Sequence, residues 1–402
     1  MATTTAKATS NPGTPRAAWV SDVGGRTIDD EENFLRVQLF SMALIGVQER
    51  ETVPSRIYSY FCFYSLLIMD LSMVLFAVQH FGDMVLVCDC LGPGFTAYLG
   101  MVKQHYLSEQ RKQLWEIIYA LKKLKQIAKP DEIRSIERNN QIDRYLATAY
   151  LTSAVITGSH FIVTAIVKAV YSKVVHGKFV WQLPLLQSYP FDISHPLMFA
   201  VLFVWTSATI YMVVFGSVSS DAAFGGLASN LVVHFKFIQA GFRDRSFEDN
   251  DPSLKDLIEY HRHVLDLSRK LISAYRPIML NNFIVASFLL CVLGFQLVLF
   301  MGSTMMFLYI VFVTAIVIQI TFFSYYGSQL SHESALVGDA IYCSNWYETS
   351  PKTRRLLLQC LMRAQVPVNI RVGFIEASMP TFRAILNSAG SYVALLLSFT
   401  DT

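Results

Sequence analysis

Seven long apolar stretches run along the chain, at residues 57–80, 84–107, 145–171, 197–220, 277–300, 303–327 and 372–399, with polar segments between them. A helix rises about 1.5 Å per residue, so each stretch can cross roughly 30 Å of hydrocarbon. The stretches 197–220, 277–300 and 303–327 contain no Asp, Glu, Lys or Arg. The pattern predicts an all-α membrane protein with seven transmembrane helices, because a helix satisfies its own backbone hydrogen bonds in lipid.

Three of the polar segments are too long to be simple loops. Residues 108–129 and 251–277 both show helical periodicity. In the second, Leu254, Leu257, Ile258, Val264, Leu265, Leu267, Leu271 and Ile272 form an apolar stripe among charged neighbours, with Ser253 as the expected N-cap beside Pro252. Such a stripe lies outside the bilayer and needs a protein partner. Residues 334–347 read as one helical piece, and Ser350-Pro351 opens another that Pro367 ends, with Leu356, Leu357, Cys360, Leu361 and Ala364 on one face. Helices within 251–276 and 334–366 are expected to form a packed layer that continues the bundle and serves as a subunit-contact surface.

Charge fixes the orientation. Of 33 Lys and Arg, Lys103, Lys168 and Arg383 lie in spans, and only Lys173 and Lys178 fall in one alternating set of loops. All the others sit in the opposite set. The positive-inside bias puts the N-terminus in the cytoplasm, and seven crossings place Asp401 and Thr402 outside. The net charge of +3 is spread along membrane-flanking helices among many acids and points to no nucleic-acid partner. Residues 1–35 read as a disordered leader without the apolar core of a secretory signal, so the first span is expected to direct insertion. Residues 36–402 read as a single seven-helix domain.

Candidate chemistry is sparse. Cys62, Cys88, Cys90, Cys291, Cys343 and Cys360 make no disulfide framework and read as small packing residues. His261 and His263 are two apart, cannot face one metal from a helix, and read as solvated histidines. No phosphate loop, paired-carboxylate site or nucleophile elbow is present, so neither an enzyme nor a cofactor is expected. Asp143-Arg144-Tyr145 matches the triplet of rhodopsin-like receptors but stands at the wrong end of its span. Charges inside spans are costly and ask for a reason. Lys103 and Lys168 lie near helix ends and are expected to snorkel. Asp70, half-way along the first span, must face protein or water. Glu376 and Arg383 share a face of the last span, lining a wet vestibule or pairing with neighbouring helices. Pro93, between Gly92 and Gly94, and Pro380 are expected to kink the second and seventh spans.

Tyr189-Pro190-Phe191-Asp192, ahead of the fourth span, resembles the segment found there in insect odorant receptors. So does the tail, with Glu333-Ser334, Ala340-Ile341-Tyr342, Trp346-Tyr347, Arg354-Arg355, Met362-Arg363-Ala364-Gln365, Gly373, Phe382 and Ser391-Tyr392. The stretch 259–271 resembles that family's cytoplasmic helix. The resemblance runs the length of the chain, and the family's N-inside orientation agrees with the charge bias. The family's obligate co-receptor carries a longer fourth-to-fifth segment, which this chain lacks, so the resemblance is to a ligand-tuning subunit.

The resemblance implies a small volatile ligand, apolar or aromatic, gating a non-selective cation channel formed as a heterotetramer with the odorant co-receptor. It implies a location in the plasma membrane of olfactory neuron dendrites. It places Leu91, Phe95, Gly158, Phe161, Phe199, Leu202, Phe203, Met306 and Tyr309 near the ligand, with Thr157, His160, Thr164 and Tyr309 as hydrogen-bonders. It places the pore gate near Leu395, Ser398 and Phe399, where apolar rings close a pore by dewetting. Gustatory-type channels share this fold and are the alternative. A G-protein-coupled receptor would need the opposite orientation, and a secondary transporter an internal repeat that is absent.

Overall fold

A computed structural model describes residues 34–177, 182–193, 195–243, 247, 251–303, 305–373 and 375–400. The helices are α1 (Arg36–Leu44), α2 (Val53–Gln79), α3 (Met84–Glu109), α4 (Arg111–Gln126), α5 (Pro130–His176), α6 (Pro196–Arg243), α7 (Pro252–Leu299), α8 (Met305–Tyr342), α9 (Pro351–Ala364) and α10 (Met379–Thr400). Six of them, α2, α3 and α5 to α8, are apolar and long enough to cross a membrane. The seventh span corresponds to α10, whose 22 residues reach about 33 Å.

Several helices are far longer than a bilayer requires. The 47 residues of α5 and the 48 each of α6 and α7 give rods of about 70 Å. The segment 252–276 is therefore not a separate helix: α7 runs through Pro277 without a break into the fifth span. Its cap also differs from expectation. Asp251 accepts the N–H of Ser253 and also its hydroxyl, so Asp251 and not Ser253 is the N-cap. The piece at 334–347 likewise ends early. Residues up to Tyr342 extend α8, and Trp346–Glu348 form a short 3-10 turn. Arg354 closes this turn by donating to the carbonyls of Tyr347 and Thr349 at 3.0 Å each. Ser350 caps α9 as expected.

The apolar stripe of α7 finds its partner inside the chain. Leu254, Leu257, Val264, Leu265, Leu267 and Leu271 are buried in one core with Leu114, Ile117, Ile118 and Leu121 of α4 and Phe224, Phe235 and Phe242 of α6. His261 belongs to this layer, only 3% exposed and edge-on to the ring of Phe235, so the expectation of a solvated histidine is wrong. Phe34 and Leu35, at the end of the expected leader, are buried too. The free cysteines include four buried ones, whereas Cys343 is exposed.

The largest departure precedes α10. Arg371–Val372 and Ile375–Glu376 pair as a two-stranded antiparallel hairpin, Arg371 opposite Glu376, with Gly373 at φ +58° in the turn. Glu376 is bonded to Arg371 at 3.1 Å and shares no helical face with Arg383, which is exposed on α10. Pro380 sits in the first turn of α10, where a missing N–H costs nothing, and so starts that helix instead of kinking it. Helix α10 packs on α7 and α8.

Candidate functional site

Helices α3, α5, α6 and α8 surround a cavity of about 340 Å³, within the range of small-molecule sites. Each helix contributes through residues three or four apart: Pro93, Thr96 and Ala97 from α3, Gly158 and Phe161 from α5, Ile210, Val213 and Val214 from α6. Pro93 lies inside α3. From α8, Phe312 faces Phe161 edge-on at 5.9 Å. Leu185 closes the outer end from the segment before α6. Its neighbours Gln187 and Ser188 hold it there. Ser188 donates its N–H to Ser72 of α2, and Gln187 accepts from Thr206 of α6 and from Tyr189. The wall between α5 and α8 is thin, with Ser153, Thr314, Ala315 and Ile318 all exposed.

Gly158 lets α5 and α6 approach. A Cβ there would stand 3.1 Å from Val214 and 3.2 Å from Ile210, so a larger residue would separate the helices or invade the cavity.

The inner end is polar. Tyr150 of α5 and Gln319 of α8 line it, and both donate to Oδ2 of Asp221 on α6, at 2.9 and 3.0 Å. Lys103 of α3 donates to the same oxygen at 2.8 Å, and neither Lys103 nor Asp221 has any exposed side-chain surface. Lys103 therefore does not snorkel. Its ammonium is satisfied by the carboxylate of Asp221 at the same depth, which removes the reason to reach for water. Sequence reasoning missed this pair because Asp221 falls one residue past the fourth span. Two opposite charges at matching depths near the inner ends of the second and fourth spans were the available signal.

The expected ligand residues do not gather in one place. Gly158 and Phe161 line the cavity, as does Thr157. Phe199 and Leu202 are buried with Leu183 in a separate cluster nearer the outer surface, with Phe203 packed against it. Phe95 stacks edge-on to Phe288 of α7 at 4.9 Å, while Leu91 and Met306 are half-buried outside the lining. Tyr309 donates its hydroxyl to Asp89 of α3 at 2.7 Å, and Gln296 of α7 donates to the same carboxylate oxygen at 2.6 Å. This ties Tyr309 into a knot above the cavity. His160 and Thr164 pair with each other on the outside of α5.

Of the expected gate, Leu395 is exposed on α10 and Ser398 donates its hydroxyl to the Leu395 carbonyl. The side chain of Phe399 lies outside the described residues. Asp70 is half-buried and Lys168 exposed. No group of three or more His, Cys, Asp or Glu able to hold a metal occurs among the described residues.

Comparison with known proteins supplies the remaining observations. A family described as 7tm Odorant receptor matches residues 83–390. Odorant receptor 82a of Drosophila melanogaster is 31% identical over 338 residues, spanning 81% of this chain and 88% of its own length. Odorant receptor 9a of the same fly is 26% identical over 388 residues, 94% of this chain and 98% of its own. The insect olfactory receptor OR5 of Machilis hrabei, solved in complex with eugenol, has the same fold. Its TM-score is 0.75 at 14% identity, over 92% of this chain and 100% of that one.

Proposed function

The chain belongs to the odorant receptor family, and from that premise we propose that it is a ligand-tuning subunit whose cavity binds a small volatile and thereby opens a cation channel. The observation that carries the reading is the cavity itself. Its walls are aliphatic and aromatic, its volume of about 340 Å³ fits one small molecule, and its polar groups are gathered at one end. A volatile apolar or aromatic ligand matches such a lining, and catalysis does not.

The pore belongs to α10. Leu395 is 53% exposed in the isolated chain, and Leu395, Ser398 and Phe399 form the gate when subunits assemble around a common axis. Ligand acts on the gate through α8, which lines the cavity with Phe312 and Gln319 and touches the start of α10 lower down. There Ser328 accepts the N–H of Met379 at 2.9 Å. A ligand can open the gate only by binding the open arrangement more tightly than the closed one.

The partner is the odorant co-receptor, in a heterotetramer. The outer face of α9 suits the contact: Leu358 and Met362 are 55% and 63% exposed, with Val366 just past the helix end at 63%, while Leu357, Cys360 and Ala364 on the other face are buried. An apolar face left open in the cytoplasmic layer is a subunit surface. The chain is a multi-pass membrane protein, and its site of action is the plasma membrane of olfactory neuron dendrites. Recording whole-cell current during a screen of small volatiles, with and without the co-receptor, tests the reading. Odour-evoked cation current that needs both proteins is expected. A current unchanged by omitting the co-receptor, or one abolished by blocking G proteins, overturns it.

A further inference from the structure

The hydrogen-bonding groups around the cavity are not neutral in their preference. A Ser or Thr hydroxyl has one proton to give and two lone pairs to receive with. Thr96, Ser153, Thr157 and Thr314 each spend the proton on a backbone carbonyl of their own helix, at 3.0, 2.8, 2.9 and 2.8 Å. At the inner end Tyr150 gives its proton, and Gln319 an amide hydrogen, to Asp221. What remains toward the cavity is mostly oxygen lone pairs, including the amide oxygen of Gln319. The donors left over are the second amide hydrogen of Gln319 and the hydroxyl of Ser217, which has no partner among the described residues. Behind them Asp221 Oδ1 is buried without a partner, so the floor already holds more acceptors than donors.

We infer that Asp221, acting through Tyr150 and Gln319, makes this cavity selective for ligands that donate a hydrogen bond. The class is small alcohols and phenols, in preference to the ethers, esters and ketones of the same skeleton. Asp221 is the positioning residue. It fixes which atoms of Tyr150 and Gln319 are free, while Lys103 holds it in place at 2.8 Å. An acceptor-only ligand can pair only with the second amide hydrogen of Gln319 or the hydroxyl of Ser217, and anywhere else in the cavity it meets lone pair against lone pair and leaves its own oxygen unpaired, which costs most in an apolar site. The inference rests on the cavity being the odour site.

The test uses three matched pairs: 2-phenylethanol, 4-methylphenol and 1-octanol, each against its methyl ether. Binding to the purified receptor in lipid nanodiscs is measured by ligand-induced thermal shift, and current is recorded in parallel from cells with the co-receptor. The alcohol or phenol is expected to bind more tightly than its ether by about fivefold or more, the yield of one net hydrogen bond. Gln319→Met and Tyr150→Phe should each move that ratio toward one. The ratio is taken within each variant, so a general loss of folded protein does not change it. Equal binding of alcohol and ether, a ratio unmoved in both variants, or no binding by any of the six compounds overturns the inference. The two readings separate cleanly. A donor preference in binding with no current leaves the selectivity standing and sinks the channel, whereas current without donor preference does the reverse.

Discussion

The ammonium of Lys103 and the carboxylate of Asp221 meet at 2.8 Å with no solvent exposure on either side chain, so α3 and α6 are joined by a dry ion pair. Tyr150 and Gln319 bring α5 and α8 to the same carboxylate, making it the common point of all four cavity helices. Removing one partner strands the other charge in a low-dielectric interior, at a cost of about 3–5 kcal/mol. Lys103→Met is therefore expected to lose most of its folded protein, as read by thermal unfolding of the purified receptor. The double variant Lys103→Met, Asp221→Leu should recover a large part of that loss. A single variant no worse than the double would show that the pair is not what holds the helices.

Gly158 gives a second prediction. Its absent side chain is what keeps α5 close to Val214 and Ile210. Gly158→Ala should cost about 1–3 kcal/mol by overpacking and lower potency more for bulky ligands than for slim ones. Dose–response curves for a homologous series check this. A uniform loss across the series would mean that Gly158 shapes the fold and not the cavity.

Gly327 lies where α8 meets the segment leading into α10, and a Cβ there would run into the backbone carbonyl oxygen of Ala377. Backbone cannot swing aside as a side chain can. Gly327→Ala is expected to leave ligand binding within about twofold while cutting evoked current severalfold, because the displacement falls between the cavity and the start of α10. Binding and current measured on the same variant decide it, and parallel losses in both would refute a coupling role.

His261 predicts a pH dependence in the cytoplasmic layer. Burial, with the positive charge of Arg363 adding to it, holds its imidazole down at about 4 against an ordinary 6.5. The unfolded chain takes up a proton below about 6.5 and the folded chain does not until about 4, so stability is full above that range and falls as pH drops through it. The slope from this one group is at most about 1.4 kcal/mol per pH unit. The melting temperature should fall between pH 7 and 5, and less so in His261→Leu. Equal slopes for the two proteins would remove His261 as the cause.

Leu395 carries the gate reading. If its side chain closes the pore by excluding water, Leu395→Ser should wet the closed state and raise the ligand-independent current. Recording basal conductance beside the wild type answers this directly. An unchanged baseline with normal surface expression would move the gate elsewhere.

The spans, their orientation and the cytoplasmic helices were legible because each follows from a local pattern. A run of apolar residues, a loop rich in Lys and Arg, or a stripe at helical spacing carries its meaning without knowledge of what lies opposite. The same locality explains the errors. An apolar run from 372 was read as one helix, but hairpin pairing of Arg371 with Glu376 takes its first residues and leaves Pro380 as a helix start. The stripe of α7 announced that it needed a partner. That the partner was α4 and α6 of the same chain could only come from packing.

The candidate site shows the division most sharply. Hydropathy and charge bias act residue by residue, so they were enough to show a helical membrane protein and which end of each helix faces the cytoplasm. The tertiary structure alone decided that Phe199 packs away from Phe161, that Tyr309 is held by Asp89, and that Lys103 pairs with Asp221. Each of these depends on the rotation of one helix against another. That rotation is set by the interlocking of side chains from distant parts of the chain, which no local pattern encodes.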